Sequence, residues 1–314
     1  MLLFTISNIA PLIYYYLRPF IKWFLHQLTR LCELQRLCYG AKLGSHRTRQ
    51  VERSLQQSKF PAIKIISREL DLQVEYCNFE EFNVLVKRAV KVVMQAKRIK
   101  PQVHPDFGRL FGQCVEQIWG YRKLLFEIER LRTTQYDCEN LDHERKLSDL
   151  WALLMPNNRL ESRITKQWQI IGFQGDDPKT DFRGMGMLGL ENLLYFAREY
   201  NDAARHVLSH SLHPTYGYTF AIVGINLTSM AYKLINSGKA KTHFYNVSKR
   251  AINITHFHRF YCYLFFEFDR FWVESNPRNI MDFPLIHQRF ETNISIELEK
   301  ENTAFKTNLV VESI

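Results

Sequence analysis

The sequence lacks the cysteine patterns of disulfide-stapled and zinc-binding proteins. Its 314 residues include six cysteines, but no pair has CxxC spacing and no histidine pair complements them at zinc spacing. Scattered cysteines in a chain of this length are typical of reduced thiols in the cytosol. Glycine and proline are also scarce, at 13 and 10 residues, and 46% of the residues are hydrophobic, which excludes collagen-like and disordered chains.

A long hydrophobic run is also missing. Residues 1–17 carry no charge, but a membrane-spanning helix needs about 20 apolar residues, and Pro11 interrupts this run. A secretory signal peptide begins with positive charge and ends in small residues. Here the charges follow the run, and bulky tyrosines occupy its end. We therefore expect the protein to be cytoplasmic.

The next stretch, residues 20–37, places Phe20, Trp23, Leu28 and further apolar residues at helical spacing, with basic residues on the opposite face. An uncharged start followed by a basic amphipathic helix favours binding of residues 1–40 to an anionic membrane surface. The protein would then be peripheral on an intracellular membrane. The alternative is that this helix packs on the core of the protein and exposes a solvated basic face.

Most of the chain has no excess of charge of either sign. The formal charge of +10 falls entirely within residues 1–100, and residues 101–314 are balanced. Long-range attraction to a polyanion is therefore not a general property of the chain, and we expect no nucleic-acid partner. The aromatic stretch at residues 257–272 also balances acidic against basic residues, which favours a buried core helix over a base-stacking surface.

The remaining pattern is helical nearly throughout, with no convincing strand period, and it predicts an all-α fold. Asn157 or Asn158 is expected to cap a helix that runs through Ile164, Trp168 and Ile171. A polar stretch near residues 135–140 is the candidate domain boundary. The predicted parts are an amino-terminal segment at 1–40, a helical region at 41–135, a second domain at 136–300 and a polar tail at 301–314.

A glycine-rich loop at residues 172–186 interrupts the helical pattern, and a loop of this length inside a domain is usually functional. Arg183 is followed by Gly184, so its side chain meets little local crowding. An always-charged planar donor suits phosphate recognition or stabilisation of charge in a transition state. The alternative is that Arg183 pairs with Asp176 or Asp181 and staples the loop. Asp177-Pro178 favours a turn, and Thr180 or Asp181 is a candidate cap for the next helical turn.

Two other candidate sites have weaker support in the sequence than the glycine-rich loop. Gly184, Gly186 and Gly189 match a dinucleotide fingerprint by letter, but the required buried strand does not precede them, so we expect no nucleotide cofactor. His206, His210 and His213 form a small cluster without a recognisable ligand set. We expect them to be exposed or capping histidines, and we predict no metal site and no cofactor.

One long motif resembles a known family. The run WQIIGFQGDDPKTDFRGMG, from Trp168 to Gly186, followed by LGLENLLYF, closely resembles the signature of the ELMO (engulfment and cell motility) domain. The stretches HPTYGYTFAIVGINLTSMAY and FHRFYCYLFFEFDRFW are also similar to that domain, and the resemblance covers about residues 120–290. The segment KWFLHQLTRLCELQRLCYG resembles the short ELMO domain-containing proteins. The resemblance implies a multi-helix ELMO-domain bundle, at residues 136–300, with amino-terminal helices.

The resemblance also implies a function. Short members of the family act as GTPase-activating proteins for Arf-family and Arf-like small GTPases, and the proposed catalytic arginine of the family falls on Arg183. The partner would be such a GTPase in its GTP-bound form. The remaining site residues would contact the GTPase or shape the loop: Gln174, Asp177, Pro178, Thr180, Asp181, Gly184 and Gly186. Trp168, Gly172 and Phe173 would anchor it. The alternative is a non-catalytic, GTPase-binding or membrane-associated scaffold.

Overall fold

The computed structural model describes residue 17 and residues 19–309. Over these residues the secondary structure is helical with no strand, so the predicted all-α fold is confirmed. The α-helices are α1 (19–29), α2 (Glu33–Gly40), α3 (Ser45–Gln56), α4 (Pro61–Gln73), α5 (Phe79–Ala96), α6 (Phe107–Thr133), α7 (Leu141–Leu154), α8 (Gly186–Glu199), α9 (Asn201–Ser211), α10 (Phe220–Asn236), α11 (Lys241–Val247), α12 (Ile254–Glu274) and α13 (Phe283–Glu299). Short 3-10 helices cover Lys166–Ile171, Pro178–Arg183 and Ile280–Asp282.

Packing divides the chain into two compact units between Ile118 and Trp119, inside α6. The polar stretch after Thr133, where the sequence suggests a boundary, lies within the second unit. The finer division at residues 40, 135 and 300 stays a prediction.

The amino-terminal unit differs from the single amphipathic helix predicted over residues 20–37. Arg30 adopts a left-handed backbone conformation (φ 55°), which ends α1, and α2 begins only at Glu33. Leu34 and Cys38 of α2 are buried, whereas the apolar residues of α1 are largely exposed. Most of the uncharged run at residues 1–17 lies outside the described residues. No described helix is long and apolar enough to cross a membrane.

The second unit is built around α8, α10 and α12. These three helices pack on one another, and α7 and α9 pack against α8. The α12 helix is the buried aromatic helix expected from the sequence, and its fully covered side chains include Phe257, Tyr261, Phe265, Phe268 and Trp272. Burial of this many rings supplies much of the hydrophobic free energy of the unit, at about 25 cal/mol per Å² of apolar surface.

The predicted helix through Ile164 and Trp168 is wrong. Only Lys166–Ile171 is helical, as a 3-10 turn capped by Thr165. The preceding backbone is bound elsewhere: the Asn158 carbonyl accepts the Trp151 indole N–H, and the Thr165 N–H donates to the Asp176 carbonyl at 2.9 Å. These bonds to distant groups replace those that a helix would make.

The carboxyl end is more ordered than its composition suggests. Helix α13 continues to Glu299, and residues 303–309 follow as a strap without regular secondary structure. Phe305 in this strap stacks on Tyr263 with ring centroids 4.4 Å apart, and its backbone N–H donates to His243 Nδ1 at 3.0 Å.

Candidate functional site

The glycine-rich loop follows the 3-10 turn Lys166–Ile171 and contains a second 3-10 turn, Pro178–Arg183, which leads into α8. Asp177 caps the second turn, because its Oδ1 accepts the Lys179 backbone N–H at 2.9 Å. The expectation that Thr180 or Asp181 caps this region is therefore wrong. The Thr180 hydroxyl instead donates to the Asp177 carbonyl inside the turn.

A chain of buried aromatic rings lies beneath the loop. The ring pairs, with centroid distances of 5.4 to 5.8 Å, are Trp151–Trp168, Trp168–Phe173, Phe173–Phe182 and Phe182–Tyr136. Three of the four pairs meet edge to face, a favoured arrangement for aromatic side chains. The Trp168 indole N–H also donates to the Arg163 carbonyl at 3.0 Å. The loop backbone is thus fixed to the hydrophobic core.

Two glycines fasten the ends of the loop to neighbouring helices. Gly172 (φ 85°) lies against the start of α10, where a Cβ atom would be 2.3 Å from the Phe220 backbone nitrogen. Gly186 (φ 52°) lies against the end of α6, where a Cβ atom would be 2.3 Å from the Arg132 carbonyl oxygen. Both positions require glycine for the left-handed conformation and for the close approach of another backbone. Gly186 is therefore a packing residue and is not exposed to a partner.

The acidic residues of the loop are bound to groups other than Arg183. Asp181 Oδ2 accepts the Gln174 backbone N–H at 2.9 Å, and Asp176 Oδ1 accepts the Gln169 side-chain amide at 2.9 Å. Burial raises the pKa of the Asp181 carboxyl above its ordinary value, although the Gln174 N–H and the charge of Arg183 oppose this. The pairing of Arg183 with Asp176 or Asp181 that the spacing leaves open is thus not found among the described residues.

Arg163 is the residue that staples the loop, and sequence reasoning missed it because no local pattern singles it out. Its Nε lies 2.8 Å from Glu144 Oε1 of α7, and its Nη1 lies 2.8 Å from Asp177 Oδ1. The guanidinium also lies over the Tyr136 ring, 5.5 Å from its centroid, and Tyr136 donates to the same Glu144 oxygen. Partial burial raises the pKa of the Asp177 carboxyl, but the Lys179 N–H and Arg163 outweigh it, so this pKa is lowered.

Arg183 ends the second 3-10 turn and is exposed. Its Nε donates to the Thr180 carbonyl at 2.9 Å, which orients the side chain against its own turn. Among the residues that the structure describes, Arg183 has no ion pair. Gly184, which comes next, is exposed, and a Cβ atom there would meet nothing within 4 Å. The guanidinium therefore stands on an open surface and forms no ion pair with a described carboxylate, although its charge acts on the nearby Asp181 carboxyl.

The other predicted site residues separate into two groups. Gln174 and Thr180 are exposed and Asp177 and Asp181 are partly exposed, so a partner could reach all four. Trp168, Gly172, Phe173, Pro178 and Gly186 are buried, and these residues set the shape of the loop.

Among the described residues, the loop aspartates belong to no group that could hold a metal ion. The described residues contain a cluster of His206, His210 and Asp269 in another part of this unit. His210 is half-buried and pairs with Asp269, so the expectation of an exposed or capping histidine is wrong at that position. His213 is a local cap, because its Nδ1 accepts the Thr215 and Tyr216 backbone N–H groups.

Comparison with known proteins identifies the family. Residues 126–287 match the model of the ELMO/CED-12 family. ELMO domain-containing protein 1 of Pongo abelii is 43% identical over 301 residues, which cover 90% of this chain and 89% of that protein. ELMO domain-containing protein 2 of Bos taurus is 44% identical over 280 residues, which cover 89% of this chain and 91% of that protein. ELMO domain-containing protein B of Dictyostelium discoideum is 34% identical over 278 residues, which cover 87% of this chain and 92% of that protein. The chain therefore belongs to the ELMO/CED-12 family.

Proposed function

We propose that this chain is a GTPase-activating protein for Arf-family or Arf-like small GTPases, and that Arg183 is the arginine it supplies in trans. One observation carries the proposal: within the described part of the chain, Arg183 is exposed and has no carboxylate partner, on a loop whose own acidic groups are bound elsewhere. An arginine that only stabilised its loop would be expected to pair with one of those carboxylates. The family's known role gives the substrate class.

The chemistry of phosphoryl transfer fits such a group. Charge develops on the phosphate oxygens in the transition state, and a planar, permanently charged fork neutralises it without any proton transfer. The anchored backbone lowers the conformational entropy that is lost when Arg183 enters the nucleotide pocket of the GTPase. Gly184 leaves room for the surface of the GTPase beside the arginine. Gln174 and Thr180 are the polar side chains best placed to contact that surface.

Single-turnover GTP hydrolysis by a panel of GTP-loaded Arf-family and Arf-like GTPases tests the proposal. The intact chain should accelerate hydrolysis by at least one of them, and both Arg183→Ala and Arg183→Lys should lose about 10³-fold of that acceleration. Arg205→Ala, which removes an exposed arginine from α9, is the matched control and should keep full activity.

The alternative of a non-catalytic scaffold predicts a different result. The chain would bind a GTP-loaded GTPase without accelerating hydrolysis, and Arg183→Ala would leave the hydrolysis rate unchanged. Near-wild-type stimulation by both Arg183 variants would also overturn the role given to this residue.

We further propose that the amino-terminal segment at residues 1–40 binds an anionic membrane surface, so that the protein is cytoplasmic and peripheral. The exposed fractions of Phe20, Trp23 and Leu28 on α1 are 62%, 57% and 70%, and Phe24 is also exposed. Large aromatic side chains on an exposed helix within a basic segment are typical of helices that lie in a lipid interface.

Co-sedimentation with vesicles tests this part of the proposal. The chain should bind phosphatidylcholine vesicles that contain phosphatidylserine more strongly than phosphatidylcholine alone. Trp23→Ser combined with Phe24→Ser should remove most of the binding. Leu72→Ser, at a leucine of α4 that is 75% exposed, is the matched control and should bind normally. Equal binding by both variants would contradict a role for α1.

A further inference from the structure

The histidine pair on α9 and the buried carboxylate on α12 meet outside the glycine-rich loop. His206 and His210 lie one turn apart on α9, with ring centroids 4.2 Å apart. Asp269 reaches them from α12 and is only 1% exposed. One nitrogen from each imidazole and one carboxylate oxygen of Asp269 all lie within 4.8 Å of one another.

We propose that His206, His210 and Asp269 form a binding site for a divalent transition-metal ion of the zinc type. Two imidazoles and one carboxylate are a ligand set that Zn²⁺ uses in proteins, with water completing the coordination. Tetrahedral Zn²⁺ with bonds of about 2 Å places its ligand atoms about 3.3 Å apart, so atoms that lie within 4.8 Å of one another need only small side-chain movements to bind it. Both histidines are partly exposed, which provides access for the ion and for water.

Neighbouring residues orient the Asp269 carboxylate for metal binding. Tyr218 donates its hydroxyl to Asp269 Oδ1 at 2.6 Å, while Oδ2 lies 2.7 Å from His210 Nδ1. Metal-binding carboxylates are commonly oriented in this way by a second hydrogen bond. The oxygen that faces the histidines is therefore fixed in direction, and the other oxygen is already satisfied.

The charge balance favours a cation at this place. A carboxylate buried as deeply as Asp269 is stabilised by a positive partner, and His210 provides one only when its ring is protonated. A divalent cation bound by His206, His210 and Asp269 would supply that positive charge.

Isothermal titration of the full chain with zinc chloride tests the proposal without any measurement of GTP hydrolysis. One equivalent of Zn²⁺ should bind and raise the melting temperature. His206→Gln should weaken this binding by at least about tenfold. This variant is expected to fold, because His206 is a partly exposed residue on the surface of α9. His46→Gln, an exposed helical histidine in the other unit, is the matched control and should bind as the wild type does.

A titration with Co²⁺ separates this site from one made by cysteines. Ligation by histidine and carboxylate gives visible ligand-field bands without a sulfur-to-metal charge-transfer band, and His206→Gln should remove those bands. A charge-transfer band, unchanged Zn²⁺ affinity in His206→Gln, or the absence of saturable Zn²⁺ binding would each overturn the proposal. None of these outcomes bears on Arg183 or on GTPase activation.

Discussion

At the scale of single residues, the two arginines near the loop have opposite roles. Arg163 is enclosed between two carboxylates and a ring, whereas Arg183 is exposed and donates to a backbone carbonyl. The contrast separates the group that holds the loop from the group proposed to act on the GTPase. Substitutions at the two positions should therefore change different measured quantities.

Arg163→Ala should lower the free energy of unfolding by about 1–3 kcal/mol, because it leaves two partly buried carboxylates without their cation. GTPase stimulation should fall as well, since Asp177 loses the contact that holds the loop. Urea denaturation measures the first effect. Arg145→Ala, which breaks an exposed pair with Asp142, is the control and should lower the free energy of unfolding much less. Equal losses in both variants would contradict the stapling role.

Two glycines that are two positions apart give a sharper test of local geometry. Gly186→Ala should destabilise the protein by at least about 2 kcal/mol, because it combines a left-handed backbone with a clash against the Arg132 carbonyl. Gly184→Ala should change stability by less than about 0.5 kcal/mol, because Gly184 has an ordinary helical backbone and open space beside it. Thermal unfolding of the two variants tests this prediction. Similar melting temperatures would contradict it, because they would show that the neighbouring backbone shifts to accept a Cβ atom at position 186 without a large loss of stability.

At the scale of helices and loops, the sequence predicts the features that depend on local pattern. The all-round apolar character of α12 correctly indicates a buried helix, and the glycines correctly mark the loop. The break at Arg30 is not predicted, because no glycine or proline marks it. The non-helical segment before Thr165 is not predicted either, since its backbone is bound by groups such as Asp176 that are distant along the chain.

The residues of the candidate site also differ in whether the sequence alone could predict them. Arg183 could be singled out because glycine, aspartate and proline surround it in the sequence. Arg163 could not, because its importance depends on Glu144 and Tyr136, which only the fold brings to it. The His210–Asp269 pair, whose members are 59 residues apart in the sequence, is likewise brought together only by the fold.

The strap at residues 303–309 is an element whose contribution can be measured. Phe305→Ala should lower the free energy of unfolding by about 1–2 kcal/mol, because it removes a half-buried ring from its stack on Tyr263. It should also make the strap more sensitive to proteolysis. Lys306→Ala, at the exposed neighbouring position, should leave both properties unchanged. Loss of strap protection without loss of global stability would show that the strap unfolds separately.

At the scale of the whole molecule, stability should fall as the pH drops below neutrality. Burial lowers the pKa of His243 to about 3 and that of His258 to about 4. The unfolded chain binds protons at these residues below about pH 6.5, whereas the folded chain does not. Each histidine should therefore remove up to about 1.4 kcal/mol per pH unit as the pH falls from about 6.5 towards its folded pKa.

Urea denaturation between about pH 7.5 and 5 checks this dependence. His210 acts in the opposite direction, because its pKa is raised in the folded state and its contribution is lost as the pH rises. His243→Gln retains an oxygen that can accept the Phe305 N–H, and it should flatten the profile relative to the wild type. An unchanged slope would mean that His243 is not the source.

The attachment of the loop to neighbouring helices at Gly172 and Gly186 has a consequence for how the sequence of the loop can vary in evolution. Both attachments are made by main-chain atoms: Ile222 N–H binds the Gly172 carbonyl, and Met187 N–H binds the Thr134 carbonyl. The outward side chains of the loop, such as Gln174, take no part in these two bonds. If Arg183 acts as proposed, substitutions at these side chains can change the choice of GTPase without displacing Arg183, so selectivity and catalytic geometry are free to evolve independently.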